Sequence, residues 1–525
     1  LKTVADFFLP LFKRHWAIAT ILLATIIIYF PIRLASFVTW DDPVLIIDNP
    51  ILKLPLWPAL RLMFGQFIHG DYLPLTMLSY WFQINLFSLS SQGMHVVNLL
   101  LHCLNIYLLW QLLERFKINK HAIAMSVLLF ALHPVQVESV AWVSEHKGLL
   151  ASFFLIIAVN LFVCGSRRFS LMFFIVSLLC KGLGLMLPLV GLIWMLLRER
   201  HWKKPLMAAA PFILVSVVYG LARILAYQQN LAVSKMDFFG HLGQLPILWC
   251  QAVVAYTQMF FAPFNLAIIY QLPATHFWQI GLALLIVSGL AVAAFKDRQM
   301  RYLILALVFL MLPIMHVVAR VNFVNDRYLY LATPLIALIS LGYLAKGLTA
   351  RLFWPLLLLL GIGIGFLTQE QLPRWSNSRS LWAATAQQLP AHPMVLNNLG
   401  LAYQESGDWK MALEYFQRSV EFDRQGVYRH LALNNLGTIY STEQSGFKDL
   451  YKAHESFKQS IQYSHRPVES ILSKFNLALV ELQLQRNSEA KTLLQEIIVV
   501  AENSNDQHLH YFYQRSKELI AKIAP

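Results

Sequence analysis

Charge is scarce in this 525-residue sequence: Asp, Glu, Lys and Arg make up 13% of it, while 57% is hydrophobic. With a mean hydropathy of +0.54, that scarcity excludes an ordinary soluble domain. Cysteine is also rare. Its four occurrences, Cys103, Cys164, Cys180 and Cys250, lie in apolar segments without metal-type spacing, which excludes a disulfide framework or zinc site and leaves packing as their role. Small residues at cleavage spacing are lacking after the first apolar run, so that run reads as a signal anchor, not a cleavable signal.

What the sequence has in abundance is long apolar runs. They predict an all-α, polytopic membrane protein whose spans run about 16–36, 93–113, 121–141, 149–165, 169–181, 183–197, 205–226, 278–295, 301–319, 328–346 and 352–368, about eleven in all. The formal charge of +14 falls in short basic clusters between these runs. The clusters are Lys13/Arg14, Arg115/Lys117/Lys120, Arg167/Arg168, Arg198 to Lys204, Lys296 to Arg301, and Lys346/Arg351. Short basic loops stay on the cytoplasmic side, so all six are expected there, and a nucleic-acid surface is not. The segment from Pro246 to Phe264 would reverse every later loop if it crossed, and is read as an amphipathic or re-entrant helix on the outer face. The loop 37–92, the turn from Glu138 to Lys147, Lys181, the loop 227–277 and the stretch from Arg320 to Arg327 then share the outer face with the C-terminal tail.

From Glu370 onward the chain is polar, helix-forming and carries about as many acids as bases. Leu396, Leu399, Gly400, Tyr403, Ala412, Phe416 and Ser419 fit the tetratricopeptide spacing, in which small residues let paired helices approach closely. Leu433, Leu436, Gly437 and Tyr440 open a second unit that continues with Ala453, Phe457 and Ser460 after an insertion at Ser445 to Lys448. Leu477, Ala478, Ala490 and Leu494 mark a third, and His508 to Ile523 a cap. The expected organisation is therefore a membrane domain at 1–369, a connecting helical segment at 370–395 and a repeat solenoid at 396–525. Such a solenoid offers a groove for a protein partner.

Charged residues beside the spans are the candidates for chemistry. Asp41 and Asp42 directly follow the first run, where a carboxylate is costly to desolvate and either has a task or caps a helix end. His95, Asn98 and His102 share one face of the second span and are read as a stripe that binds neighbouring helices.

The segments from Asp41 to Pro50 (DDPVLIIDNP), His95 to His102 (HVVNLLLH), His133 to Lys147 (HPVQVESVAWVSEHK), Asp326 to Leu331 (DRYLYL) and Arg374 to Trp382 (RWSNSRSLW) resemble the transmembrane and tetratricopeptide-repeat O-mannosyltransferases and their bacterial relatives. The resemblance implies a C-type glycosyltransferase fold. It further implies transfer of a sugar such as a mannose-like hexose from a polyprenyl-phosphate carrier to a Ser or Thr hydroxyl of an extracytoplasmic protein, at the periplasmic face of a bacterial inner membrane or its endoplasmic-reticulum equivalent. The base falls on Asp41 or Asp42, with Asp41 preferred, and Glu138 is a second acid or a helix-end residue. Donor-phosphate contacts fall on His133, His146, Lys147, Lys181 and Arg327; headgroup contacts for the cations and a structural hydrogen bond for His133 are the other readings. No cofactor or metal is assigned.

A hydroxyl is a weak nucleophile until a carboxylate accepts its proton, and a cation stabilises the departing phosphate, which is why this chemistry needs these residue types. Three positions depart from the family pattern: His146-Lys147-Gly148 where bacterial relatives more often have Arg-Lys-Asp, Leu73 where Arg is common, and Gly182 where Pro usually follows the lysine. They bear on the sugar more than on the enzyme class. A non-catalytic scaffold organising envelope or secreted proteins is the alternative function. A solute transporter comes third, because transporters place ionisable residues near the bilayer midplane and these cluster at one face.

Overall fold

A computed structural model of the chain describes residues 2–68, 71–198, 201–230, 238–315, 322–502 and 507–523. Arg200 and Arg320, counted among the basic loop residues, lie outside them. The contacts divide the chain into Leu1–Ser376 and Asn377–Pro525. Among the described residues there are helices and one isolated bridge, Ile68 to Asp71, and no strand.

The first unit runs through α1 (Lys2–Tyr29), α2 (Leu56–Gly65), α3 (Pro74–Phe87), α4 (Ser91–Arg115), α5 (Lys120–Leu132), α6 (Val137–Ala141), α7 (His146–Val163) and α8 (Arg167–Cys180). It continues with α9 (Leu187–Leu196), α10 (Lys203–Asn230), α11 (Phe238–Phe261), α12 (Phe277–Lys296), α13 (Arg298–Met311), α14 (Ala332–Gly347) and α15 (Ala350–Gln371). Among the described residues six helices are long and apolar enough to cross a membrane, or seven when the bent pair Lys120–Leu132 and Pro134–Ala141 is taken as one span. The expected eleven are not reached. Helices α8, α9, α13 and α14 have 14, 10, 14 and 16 residues, which at ~1.5 Å per residue gives roughly 15–24 Å against a hydrocarbon core of ~30 Å.

Depth in the unit follows neighbours, not hydropathy. The most apolar window of Val143–Val163 is 56% buried and that of Phe277–Lys296 only 11%. The α7 span is therefore central, while α12 turns most of its side chains outward, as a lipid-facing helix does. The central packing brings Ile106 of α4, Phe130 of α5, Leu149 of α7, Leu338 of α14 and Phe353 of α15 into one cluster. The stripe on α4 ties these helices together through polar groups. His102 meets the Tyr330 hydroxyl at 2.9 Å and the Ala131 carbonyl at 3.1 Å, and Asn105 donates to the Leu149 carbonyl at 3.1 Å. Helix α11 contains Pro246 and packs Leu248, Ala252, Tyr256 and Met259, at helical spacing, against Phe323 and Val324.

The second unit comprises α16 (Ser378–Gln388), α17 (Pro393–Glu405), α18 (Trp409–Phe422), α19 (Arg429–Ser441), α20 (Leu450–Tyr463), α21 (Ile471–Gln483), α22 (Asn487–Glu502) and α23 (Gln507–Ile523). Glycine sets the closeness of its hairpins. A Cβ on Gly400 would lie 2.7 Å from the Phe416 ring, and one on Gly437 2.6 Å from that of Phe457. Equivalent serines repeat one bond: Ser419 Oγ donates to the Pro393 carbonyl at 2.8 Å and Ser460 Oγ to that of His430 at 2.6 Å. Successive inner helices are joined by amides, Asn435 donating to Asn397 at 2.9 Å and Asn476 to Asn434 at 3.2 Å. The insertion turns at Gly446, whose φ of +72° suits a residue without a Cβ.

Candidate active site

After the first span the chain passes through a short 3-10 turn, Phe30–Leu34, into extended backbone that delivers Asp41 and Asp42 to the start of the turn Pro43–Ile47. The two carboxylates then part. Asp42 is 1% exposed and accepts hydrogen bonds from Val38 N–H at 2.9 Å and Ser144 N–H at 3.1 Å, together with the Ser144 hydroxyl. Burial pushes its carboxyl up to about 6 against the pull of these donors. It stitches the loop after the first span to the segment before α7. Asp41 keeps 40% of its side chain exposed and pairs with Lys147 Nζ at 2.9 Å.

The second loop owes its shape to Pro134, since a residue that precedes proline is disfavoured in the helical region. Helix α5 ends at Leu132, the chain bends by 50°, and α6 resumes with Glu138 on its first turn. Glu138 accepts from the Arg327 backbone N–H at 2.8 Å and forms an ion pair with the Arg327 guanidinium. Seven residues on, Glu145 pairs with Lys181. Its second oxygen has no hydrogen-bond partner among the described residues. Lys181 is delivered by the end of α8, where Thr76 of α3 donates to the Cys180 carbonyl at 2.8 Å. The Trp142 indole lies under two of the cations, 5.5 Å from Lys147 Nζ and 5.4 Å from Arg327 Cζ. Charges this deeply buried persist because each has an opposite partner.

Beneath this cluster Asp326 is buried and accepts from the Tyr270 hydroxyl at 2.5 Å. Burial, reinforced by the nearby Glu138 charge, holds its carboxyl well above the ordinary carboxylate range.

The structure thus brings Asp41, Glu138, Lys147, Lys181 and Arg327 to one place. His133 and His146, also expected at the donor phosphate, have protein partners at their ring nitrogens, in keeping with the structural reading given for His133. His133 Nε2 meets the Phe260 carbonyl at 2.8 Å, its Nδ1 accepts from Val135 N–H at 3.3 Å, and its ring stacks on Phe260. His146 Nδ1 bonds Asn98 Oδ1 at 2.9 Å, while Nε2 meets the Ser79 hydroxyl at 2.8 Å and the Gln83 amide at 3.2 Å. Both rings have each nitrogen engaged by the protein, so neither has one to offer a phosphate.

Sequence reasoning missed Glu145 and the pair formed by Asp71 and Arg223. Arg223 had a signal: it is a single cation at the far end of the apolar run Lys203–Ile224, away from the lysines at its start. Gly182 gives it room, because a Cβ there would lie 3.0 Å from both Arg223 Nη1 and Tyr219 Cε1. Among the described residues no three His, Cys, Asp or Glu side chains are placed to hold a metal ion.

Comparison with known proteins bears on both units. Residues 393–425 match the tetratricopeptide repeat model. The chain is 34% identical over 181 residues to the protein O-mannosyl-transferase F38B6.6 of Caenorhabditis elegans, covering 32% of this chain and 26% of that one. Part of this chain is similar to protein O-mannosyl-transferases. Tmtc3 of Drosophila melanogaster is 31% identical over 25% of this chain and 17% of its own length, and human TMTC3 30% identical over 23% and 14%. The chain therefore spans about a quarter or less of the length of these curated relatives. Among solved structures, the yeast Tom70 crystal structure aligns over 79% of this chain and 96% of its own at 13% identity, with a TM-score of 0.23 that is too low to indicate a common fold. The helices long and apolar enough to cross a membrane among the described residues mark it as a membrane protein.

Proposed function

We propose that this protein transfers a sugar, mannose or a similar hexose, from a polyprenyl-phosphate carrier to a Ser or Thr hydroxyl of an extracytoplasmic protein at the periplasmic face of a bacterial inner membrane. The observation that carries the reading is the division of labour in the acid pair: Asp41 alone presents its carboxylate to accessible space, beside a lysine.

In the reaction the acceptor oxygen forms a bond to the anomeric carbon as the bond from that carbon to the phosphate oxygen breaks. The hydroxyl proton passes to Asp41, and the bond's electron pair leaves with the polyprenyl phosphate. Lys147, Lys181 and Arg327 meet the phosphate's developing charge, so it departs without prior protonation. A single displacement inverts the anomeric centre. Glu138 and Glu145 hold the cations in position, and Asp42 anchors the loop that carries the base. Residues 1–369 supply the transferase, 370–395 the connection and 396–525 the repeats, whose groove positions the acceptor.

The test is a transfer assay with a synthetic polyprenyl-phosphate mannose and an acceptor peptide, read by mass, on wild type and on separate Asp41→Asn and Asp42→Asn variants. Loss of transfer in a normally melting Asp41→Asn supports the reading. Undiminished transfer in that variant moves the base elsewhere, and absence of transfer by wild type, with retained partner binding through the repeats, favours a scaffold.

A further inference from the structure

Far from the acids, the first unit encloses a cavity of about 560 Å³ between α4, α7, α9, α10, α13 and α14, lined almost wholly by apolar side chains such as Leu113, Ile156, Phe162 and Leu338. Its polar lining includes three cations, Lys117, Arg198 and Arg298. We infer that this cavity binds one acyl chain of an anionic glycerophospholipid, whose phosphate sits among Lys117, Arg198 and Arg298.

Three features select this occupant. The volume lies in the ~300–1,000 Å³ range of ligand sites, and the lining offers dispersion and hydrophobic contact to a flexible chain but few partners to a sugar or peptide. The three cations form no ion pair among the described residues. The neighbouring acid, Asp297, points its carboxylate at its own helix N-terminus, accepting from Gln299 and Met300 N–H at 2.6 and 3.0 Å. Arg298 sits at the start of α13, so the helix dipole adds to the positive potential there. Arg298 also donates to the Leu197 carbonyl at 3.1 Å, which fixes it beside Arg198. Three cations that pair with no acid among the described residues favour an anion.

The site is distinct from that of the sugar donor. Lys147 occupies the first turn of α7 and Phe162 the last, so ~1.5 Å per residue puts them roughly 22 Å apart along the helix. Lys117 likewise follows the C-terminus of α4, whereas Asn98 near its start bonds the Trp142 carbonyl at 3.1 Å. The cavity's charged mouth therefore opens toward the opposite membrane face.

The experiment uses the full chain, purified in a neutral detergent and stripped of lipid. Phosphatidylglycerol is expected to raise the melting temperature by several degrees, and phosphatidylcholine with the same chains to leave it nearly unmoved. Arg198→Gln with Arg298→Gln is expected to lose at least half of that preference. Gly191→Leu, whose Cβ meets only the Phe162 ring at 3.6 Å and whose side chain extends into the lining, is expected to lose most of the shift. Native mass spectrometry of wild type should retain one phosphatidylglycerol, a readout independent of either variant's folding. Equal shifts from both lipids, a full shift in Gly191→Leu, no retained lipid, or displacement of phosphatidylglycerol by polyprenyl phosphate would each overturn the proposal.

Discussion

Of two neighbouring carboxyls, Asp42 receives three hydrogen bonds and Asp41 a lysine and open space, and their variants should fail differently. Asp41→Asn is expected to slow transfer by about 10²–10⁴-fold, with melting nearly unchanged; kcat in the peptide assay checks it. Asp42→Ala leaves the Val38 and Ser144 donors unpaired in a buried place and should cost roughly 1–3 kcal/mol, read as a lower melting temperature. Asp42 also gives a pH test. Its folded value of about 6 is raised above an unfolded 3.8, so its contribution to stability is full below the unfolded value and lost as pH rises through 6. The stability deficit of Asp42→Asn relative to wild type should therefore narrow between about pH 4 and 7, measured as the melting difference across that range. That an acid pair follows the first span is legible in the sequence; which member faces solvent is not, because the answer lies with Ser144, a hundred residues away. What His133 and His146 touch is hidden from the sequence for the same reason. A histidine in a conserved-looking motif reads alike whether its nitrogens meet a ligand or, as here, Phe260, Asn98 and Ser79.

At the scale of elements, local pattern did best in the repeats, where each hairpin is built from neighbouring sequence. Gly400 with Phe416 and Gly437 with Phe457 stand at the expected spacing and meet as expected. Gly437→Leu should force α19 from α20 at a cost of about 1–3 kcal/mol. Hydrogen exchange in the full chain should then quicken most in those two helices and less in α21 and α22, as nearest-neighbour coupling requires. In the first unit, Gly182→Val should crowd Arg223 and Tyr219 and unsettle the Asp71 pair. The expected result is a donor KM raised by about tenfold with kcat little changed, the mark of lost ground-state binding. Arg223 itself comes from α10, so no local spacing links it to Asp71.

For the whole molecule, hydropathy located the apolar runs well, but the count of eleven spans is not confirmed, since a run's composition does not say whether 10 to 16 helical residues traverse the bilayer or pack inside the unit. The faces can be tested without a span count. Single cysteines at Trp57, 79% exposed in the loop proposed to face outward, and at Lys117 should differ: an impermeant thiol reagent applied to intact cells should label the first and spare the second. The four acid and base pairs of the first unit, Asp41 with Lys147, Glu138 with Arg327, Glu145 with Lys181 and Asp71 with Arg223, carry a last consequence. Every cation there already has a carboxylate companion, so the site behaves as a set of latches. A lipid enters only by trading its own negative charge for theirs, and a polyprenol without its phosphate brings nothing to trade.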